Sequence, residues 1–420
     1  MMASAKRFCE QPGVAAGTRR LPEAAVAVQS AEGVVPCHTR RRGFFRDESW
    51  KAKVIGLLFA VLGACSLSAA GQNSHPLSSL QSAHKDKVFT EFFRQTNGWA
   101  AGDVATSVPL SDGRVLWLFG DSYIDQFDAK TGTLPCLFDA RNAVLVQNTN
   151  DLMHPRTLLN VQAGNRSFFH PPDAKAGASW PCFWPGAGFQ AGGSIYIYLT
   201  EMQQTPPGGM WGFKAIGHYW AKMSFPELNV TDYVKLPSFN GISFWCGFIK
   251  DGSSGFTFAF GNKRDFTASD VYVARFPTEH PEGGWSFWDG KGWNANVTNA
   301  VVIARGASTS VNVCKVRNQF LLVTTEFSVA CDQGRRIYVA VSDKPTGPFS
   351  PRKEIFTVDD AVQGHYPFFY SAVAHPEFIN ADGLLVTYCI NGYAPCVPTC
   401  VAGRMNPDYY RPRAIRLPLK

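Results

Sequence analysis

Residues 103–121 read DVATSVPLSDGRVLWLFGD: a β-prone run, an Asp-Gly turn, and a second run that ends in an acid. An Asp-Gly pair between two such runs is a strong signal for a β-hairpin. The second run, Val115–Phe119, is apolar at every position, which indicates a strand buried on both faces. This stretch therefore predicts a hairpin inside a β-rich core.

The same layout occurs four more times along the chain. In each case a turn precedes an apolar strand that ends in a polar residue; these strands are Ser194–Leu199, Gly255–Phe260, Gln319–Thr324 and Leu384–Cys389. The turn and the final polar residue are eight residues apart in four units and ten in the third. Because repeated small sheets arranged radially protect strand edges, we predict an all-β fold, a five-bladed β-propeller with four-stranded antiparallel blades. The alternative is a β-sandwich whose hairpins repeat by chance.

The segment 51–72 has the order of a secretory signal peptide. Two lysines precede the apolar run Val54–Leu62, and small residues follow it. Two processing routes remain open: cleavage before Gly71, or lipidation of Cys65, which ends a lipobox-like Leu-Gly-Ala-Cys sequence. We expect a secreted, periplasmic or cell-surface protein whose mature chain begins between these two residues.

The rest of the chain divides into three segments. Residues 1–50 are rich in Ala and Arg, and either an over-extended start site or a disordered cytoplasmic tail explains them. Residues 73–94 are predicted to be a linker with a closing strand, in which Val88–Phe93 pairs with Arg413–Leu417. Residues 95–420 form the predicted propeller.

Charge and motifs exclude several functional classes. The net charge is +7, but residues 1–72 hold ten Lys and Arg against five Asp and Glu, so the predicted propeller is close to neutral. A nucleic-acid-binding surface needs clustered basic residues, and the propeller segment contains no such run. It also contains no zinc-protease spacing, phosphate loop or dinucleotide fingerprint. We therefore expect no cofactor, no metal and no nucleic-acid partner, and we expect a monomer.

Eight cysteines follow the signal segment, an even number that permits disulfides in an oxidising compartment. Cys396 and Cys400 lie close together in a Pro-rich loop near Cys389. No His is nearby, so a local disulfide is favoured over a metal cluster.

Hairpin geometry places several polar residues together. The start of a first strand and the end of a second strand lie at the same end of a hairpin, which in a propeller is one face of the ring. Asp103 starts the first unit, and the ends of the second strands carry Asp121, Glu201, Asn262, Glu326 and Asn391. Paired carboxylates are the catalytic groups of glycoside hydrolysis, one protonated and one ionised. The simpler alternative is that these acids cap turns or face solvent.

Aromatic and histidine residues extend the predicted site. Trp99, Trp184 and Trp245 are candidate sugar-stacking residues, although propellers also pack aromatic rings between their blades. His375 and Glu377 lie in the first strand of the last unit, which is expected to line the central channel. We assign all five to substrate binding, together with Asn262 and Asn391.

Four motifs carry a resemblance to a known group of proteins: GWAAGD at 98–103 with DGRVLWLFGDS at 112–122, YVAR at 272–275, SDKPTGPF at 342–349, and HPEF at 375–378. The chain resembles a group of uncharacterised secreted five-bladed β-propellers that are similar to furanosidase-type glycoside hydrolases of families 43, 32 and 183. Family 43 enzymes use an Asp base in the first blade, a second Asp that tunes the acid, and a Glu acid two blades further on.

The resemblance implies catalytic roles for four carboxylates. Asp103 matches the base by position, and Asp121 is the candidate for the tuning residue by its location. The third blade ends in Asn262 instead of Glu, so the acid is either Glu201 or Glu326.

We therefore predict a secreted glycoside hydrolase that acts on furanose-containing or related polysaccharides or oligosaccharides through paired carboxylates. Two alternatives remain: a non-catalytic carbohydrate-binding propeller, which would keep the aromatic residues without needing paired acids, and a scaffold propeller with no sugar ligand.

Overall fold

The computed structural model describes residues 80–148, 151–160, 166–175, 177–206, 208, 212–265, 267–391 and 396–419. The predicted N-terminal extension, the signal segment 51–72 and Cys65 lie outside these residues. In the described part of the chain, no helix is long and apolar enough to cross a membrane.

The secondary structure is almost entirely strand. The first part of the chain forms β1 (His84–Lys85), the helix α1 (Lys87–Phe92), β2 (Trp99–Gly102), β3 (Thr106–Pro109), β4 (Val115–Phe119), β5 (Ser122–Ile124), β6 (Leu134–Pro135), β7 (Ala143–Asn148) and β8 (Asp151–Leu158). The middle forms β9 (Cys182–Ala191), β10 (Ser194–Gln204), β11 (Phe213–Ser224), β12 (Val230–Lys235), β13 (Ser243–Asp251), β14 (Phe256–Arg264), β15 (Ser269–Pro277), β16 (Ser286–Trp288), β17 (Trp293–Asn294) and β18 (Ala304–Ala307). The last part forms β19 (Val311–Val316), β20 (Gln319–Thr325), β21 (Arg336–Ser342), β22 (Lys353–Thr357), β23 (Phe368–Asn380), β24 (Gly383–Asn391), β25 (Arg404–Met405) and β26 (Pro412–Leu417).

These strands form five antiparallel blades, which confirms the predicted five-bladed propeller. Their strand orders are β3-β4-β7-β8, β9-β10-β11-β12, β13-β14-β15-β16, β19-β20-β21-β22 and β23-β24-β26-β1. The third blade is larger than predicted, because β17 pairs with β16 and β18 pairs with β15. Two small ribbons, β2–β5 and β25–β6, lie outside the blades.

Side-chain alternation explains why the central strands are apolar at every position. Leu116 and Leu118 of β4 join a core cluster with the second blade, whereas Trp117 and Phe119 join a cluster with the fifth blade. Successive residues of a strand point to opposite faces, so a strand between two blades needs apolar residues on both. Three further clusters join the second blade to the third, the third to the fourth and the fourth to the fifth.

The ring closes through a strand from the start of the described chain. His84 of β1 pairs with Arg416 of β26, which makes β1 the outer strand of the fifth blade. The prediction that Val88–Phe93 supplies this strand was wrong, because most of that segment is the helix α1. Asp86 caps this helix by accepting a hydrogen bond from the Phe89 amide at 2.9 Å, and Asp86 also pairs with Arg416 at 2.6 Å.

Two disulfides connect loops of different blades. Cys400 bonds to Cys136 in the first blade, and Cys396 bonds to Cys331 in the fourth. The predicted local disulfide within the Cys396–Cys400 loop was therefore wrong. Instead, both bridges hold the loop between β24 and β26 against neighbouring loops.

Candidate functional site

Asp103 and Asp121 face each other across a short ribbon at one face of the ring. Gly102 of β2 pairs with Ser122 of β5. Asp103 follows Gly102 and Asp121 precedes Ser122, so the two aspartates are neighbours across the ribbon. After Asp103 the chain passes through Val104 and Ala105, both with positive φ angles (77° and 50°). This conformation is rare for residues other than Gly and turns the chain sharply from the ribbon into β3.

Asp103 is surrounded by donors from the other end of the chain. Its Oδ2 accepts hydrogen bonds from the hydroxyls of Tyr370 at 2.8 Å and Tyr410 at 3.1 Å. Its Oδ1 lies against Gly120, where a Cβ would come within 2.4 Å of it. Burial raises the pKa of the Asp103 carboxyl, while the two phenol hydrogen bonds act in the opposite direction.

Asp121 is the second carboxyl of this pair. Arg141 Nη1 lies 3.4 Å from both of its oxygens, and the Trp184 indole N–H donates to Oδ1 at 3.3 Å. Burial raises the pKa of Asp121, the charge of Arg141 lowers it, and the charge of Asp103 raises it further. Two neighbouring carboxyls of this kind retain one shared proton more readily than two separate ones.

Glu201 lies on the neighbouring blade beside this pair. Glu201 is in β10, where it pairs with Phe183 of β9. The preceding residue, Thr200, pairs with Trp184. Burial raises the pKa of the Cys182 thiol, and the charges of Asp121 and Glu201 both add to that shift. The thiol therefore lies within electrostatic range of both carboxylates.

Glu326 has a different environment. Its Oε2 accepts the backbone amides of Arg335 at 2.6 Å and Arg336 at 3.1 Å, and its Oε1 accepts the Tyr338 hydroxyl at 3.3 Å. These contacts fold the return loop between β20 and β21 onto the carboxylate. Glu326 thus stabilises the connection between two strands of its own blade.

The two predicted Asn residues support other side chains. Asn391 Nδ2 donates to the Tyr370 hydroxyl at 3.3 Å, so it is connected to Asp103 through that phenol. Asn262 is buried and accepts the Trp245 indole N–H at 2.7 Å. It also donates to the Ser269 hydroxyl and the Thr309 carbonyl.

The three predicted Trp residues fall into two groups. Trp184 contacts Asp121 and is half-buried, and Trp245 is half-buried at the ring axis. Trp99 is fully buried and packs against Phe119 with ring centroids 4.2 Å apart. Its assignment to substrate binding was therefore wrong: it belongs to the core of the first blade.

His375 and Glu377 lie away from the Asp103 end of β23, so their assignment to the channel site is corrected. His375 is completely buried between the Ser107 hydroxyl at 2.5 Å and the Thr387 hydroxyl at 2.9 Å, and burial lowers its pKa to about 3. Glu377 Oε1 lies 3.9 Å from His375 Nδ1, and burial raises the pKa of this carboxyl. Both residues belong to a polar contact between the first and fifth blades.

The sequence patterns missed Tyr370, Tyr410 and Arg141. Arg141 is held between the rings of Trp180 at 4.3 Å and Phe138 at 4.9 Å. None of these residues occupies the strand-end position that identified the acids. Tyr410 follows a short 3-10 turn outside the repeat, and its contact with Asp103 depends on how the ring closes.

The cavities indicate where a ligand has room. The axial cavity, lined by Thr106, Trp245, Asn312 and Ser371 among others, has a volume of about 10 Å³. It holds at most about one water molecule, so a glycan has to bind at the mouth. A larger cavity of about 240 Å³, lined by Ser167, His170 and Tyr233 among others, reaches Cys182. Within the described part of the chain, no group of three or more His, Cys, Asp or Glu residues is arranged to hold a metal ion.

Comparison with known proteins identifies the family. The model of a domain of unknown function, DUF5005, matches residues 86–418. The chain belongs to the DUF5005 family. No curated protein matches this DUF5005 chain in sequence.

Several solved structures are similar to this DUF5005 protein. One is described as a candidate hydrolase from Bacteroides ovatus ATCC 8483, with a TM-score of 0.63 and 19% identity over 80% of this chain and 90% of that one. Others include the family 43 protein BlXynB from Bacillus licheniformis (TM-score 0.43, 13% identity, 80% and 54% coverage) and an exo-1,5-α-L-arabinanase from a bovine ruminal metagenomic library (0.40, 12%, 76% and 93%). The DUF5005 chain thus spans about half the length of BlXynB. At 19% identity, the likeness to the Bacteroides ovatus protein concerns the fold alone.

Proposed function

We propose that this DUF5005 protein is a glycoside hydrolase that acts on furanose-containing or related glycans through paired carboxylates. The observation that carries the proposal is the cross-strand pair of Asp103 and Asp121, with Glu201 beside it on the next blade. Burial and like charge keep a proton on one member of such a pair while the other ionises, which is the charge state that glycoside hydrolysis needs.

Each carboxyl has a role in this scheme. Asp103, which accepts two phenol hydrogen bonds, is the ionised base or nucleophile. As a base it takes a proton from the water that attacks the anomeric carbon; as a nucleophile it forms the glycosyl ester that water then hydrolyses. Glu201 donates a proton to the leaving oxygen, and Asp121 adjusts the charge between them. Glu326 is the weaker candidate for the acid, because its oxygens already accept hydrogen bonds from its own loop.

The surroundings suit a sugar. The rings of Trp184 and Phe213 meet with centroids 4.8 Å apart next to Asp121, and apolar rings of this kind stack on sugar faces. The Arg141 guanidinium packs against the rings of Trp180 and Phe138. Among the described residues, only its Nη1 hydrogen-bonds a side chain, so its other N–H groups are available to sugar hydroxyls. Furanose specificity rests on the sequence resemblance alone.

The first test is a substrate screen of the purified protein. We expect hydrolysis of an arabinan or another furanose-containing glycan, detected as new reducing ends, and little hydrolysis of pyranose-only glycans. The anomeric configuration of the first product, followed by NMR, gives the stereochemistry. Carboxyl groups about 6.5–9.5 Å apart predict inversion, and groups about 5–5.5 Å apart predict retention. Glycan binding without hydrolysis would instead identify a carbohydrate-binding propeller.

We further propose that the protein is exported. The support is the signal-like segment 51–72 and the two disulfides, since such bonds persist mainly in oxidising compartments. N-terminal sequencing of the exported protein should find a first residue between Cys65 and Gly71, with a lipid present if it is Cys65. Exported material that still contains Arg40–Arg42 would contradict this proposal.

A further inference from the structure

We infer that Tyr370 and Tyr410 form a tyrosine clamp, a pair of positioning residues that fixes the Asp103 carboxylate and keeps it ionised beside Asp121. The effect of the clamp on hydrolysis rests on the proposed function. The clamp itself is a statement about hydrogen bonding in the free protein and can be tested without any substrate.

The two tyrosines of the clamp contact the same oxygen of Asp103. Both phenol hydroxyls donate to Oδ2 of Asp103, at 2.8 and 3.1 Å, so that oxygen is saturated. Oδ1 receives no side-chain donor among the described residues and packs against Gly120, where a Cβ would come within 2.4 Å of it. The clamp therefore fixes the carboxylate plane through Oδ2 and leaves Oδ1 without a side-chain donor.

Burial of the Asp103 carboxyl disfavours its ionised form, so hydrogen-bond donors are needed to stabilise that form. The Asp121 carboxyl, just before β5, lies within range of the Asp103 charge, and the buried Cys389 thiol lies nearby on β24. The Arg141 guanidinium contacts Asp121 instead. In the described part of the chain, no Lys, Arg or His lies within ion-pair distance of Asp103. The two phenols are thus the groups that offset burial and favour the charged form.

The fold builds the clamp from three separate regions. Ser371 has a positive φ of 52°, and the pairing of β23 with β24 shifts register between Tyr370 and Val373. Such a bulge re-aims the adjacent side chain, here that of Tyr370, towards the first blade. Asn391 donates to the Tyr370 oxygen at 3.3 Å, which directs the phenol hydrogen to Asp103.

Tyr410 comes from the C-terminal segment. Its ring stacks on Phe138 at 6.4 Å and meets Tyr123 edge-on at 6.1 Å. Asp103 lies between the ribbon strand β2 and the first blade, Tyr370 is in the fifth blade, and Tyr410 follows the last ribbon strand. Consequently the clamp is complete only when the ring has closed, which couples the active carboxylate to ring closure.

The test is a titration of Asp103 in Tyr370→Phe, Tyr410→Phe and the double variant. Each change keeps the ring and removes one hydroxyl, so folding should survive, and circular dichroism checks this. In ¹³C-aspartate-labelled protein, with the Asp103 signal assigned by its loss in Asp103→Asn, we expect the pKa of Asp103 to rise by about one unit or more in each single variant. The rise should be larger in the double variant.

The matched control is Tyr388→Phe. Tyr388 is a buried tyrosine of β24 whose hydroxyl hydrogen-bonds a different carboxylate, Asp360, so the same group is removed without contact to Asp103. The Asp103 pKa should not change in this variant. An unchanged Asp103 pKa in a folded double variant would overturn the clamp.

Activity gives the second readout. The acid limb of kcat/KM should move to higher pH by the same amount as the pKa, and KM should change little because the phenols do not contact substrate. Absence of hydrolysis by the wild type would end the proposed function while leaving the NMR test of the clamp intact. A normal pH profile in an active, folded double variant would end the clamp while leaving the proposed function intact.

Discussion

Replacing Asp103 with Asn should lower kcat by about 10²–10⁴-fold and leave glycan binding nearly unchanged. Loss of a general base or acid typically has an effect of this size. Asn has almost the same volume as Asp, and its amide oxygen can still accept from Tyr370 and Tyr410. The change therefore removes the charge and basicity of the group while the shape of the site is retained. Steady-state kinetics and binding calorimetry on the best substrate measure the two effects separately.

The same substitution should not destabilise the protein. The folded-state pKa of Asp103 is raised from 3.8 to about 6, and that of Asp121 to about 7, chiefly by burial. Above pH 3.8 the unfolded chain releases these protons while the folded chain keeps them, so their contribution to stability falls as pH rises and is lowest above about pH 7. Asp103→Asn removes the Asp103 part of this cost, so its Tm at pH 8 should equal or exceed that of the wild type.

A control variant separates the two effects of this substitution. Asp382 lies in the exposed turn between β23 and β24, where Asn-Gly suits a hairpin as well as Asp-Gly does. Asp382→Asn should keep both full activity and wild-type stability. Full activity in Asp103→Asn would remove Asp103 from the mechanism, whereas a large fall in its Tm would mean that the carboxylate has a structural role.

The fold was predictable because its repeat can be recognised in the sequences of the central strands. Strands such as Val115–Phe119 need apolar residues on both faces, and each is followed at a fixed distance by a polar residue at the mouth of the ring. For the same reason the sequence could not show which residues of β23 face the axis. A strand apolar on both sides lacks the alternation that distinguishes the faces, and His375 was misplaced in consequence.

The candidate site was predictable only in part. Asp103, Asp121 and Glu201 could be predicted to lie near one another because strand ends converge in a propeller. Tyr370 and Tyr410 are brought to Asp103 by a bulge and by the C-terminal segment, neither of which has a sequence period. The disulfide partners of Cys396 and Cys400 are likewise set by the approach of loops from different blades.

Glu201 and Glu326 look alike in sequence, since each ends the second strand of its unit eight residues after the turn. The structure separates them by what their oxygens contact. Glu326 accepts two backbone amides and a phenol from its own return loop. Glu201 hydrogen-bonds the Tyr219 hydroxyl of β11 and lies next to Gly217, where a Cβ would be 3.1 Å from its Oε2. It also shares the Cys182 environment with Asp121.

We therefore expect Glu201→Gln to lower kcat on glycans by about 10²–10⁴-fold, as expected for loss of a general acid. Glu326→Gln should change kcat by less than about tenfold and act mainly on stability, because the amide loses part of a hydrogen-bonded loop contact. Kinetics and thermal unfolding of both variants against wild type measure this contrast. Near-normal glycan hydrolysis by Glu201→Gln, with a large loss in Glu326→Gln, would assign the acid to Glu326.

An activated substrate distinguishes a lost acid from a damaged site. A nitrophenyl glycoside has a leaving group that departs without protonation, so it does not need the general acid. Glu201→Gln should hydrolyse such a substrate at close to the wild-type rate while failing on the glycan. Asp103→Asn should fail on both, because attack at the anomeric carbon still needs the base or nucleophile. Equal losses on both substrates in Glu201→Gln would show that Glu201 positions the sugar instead of donating the proton.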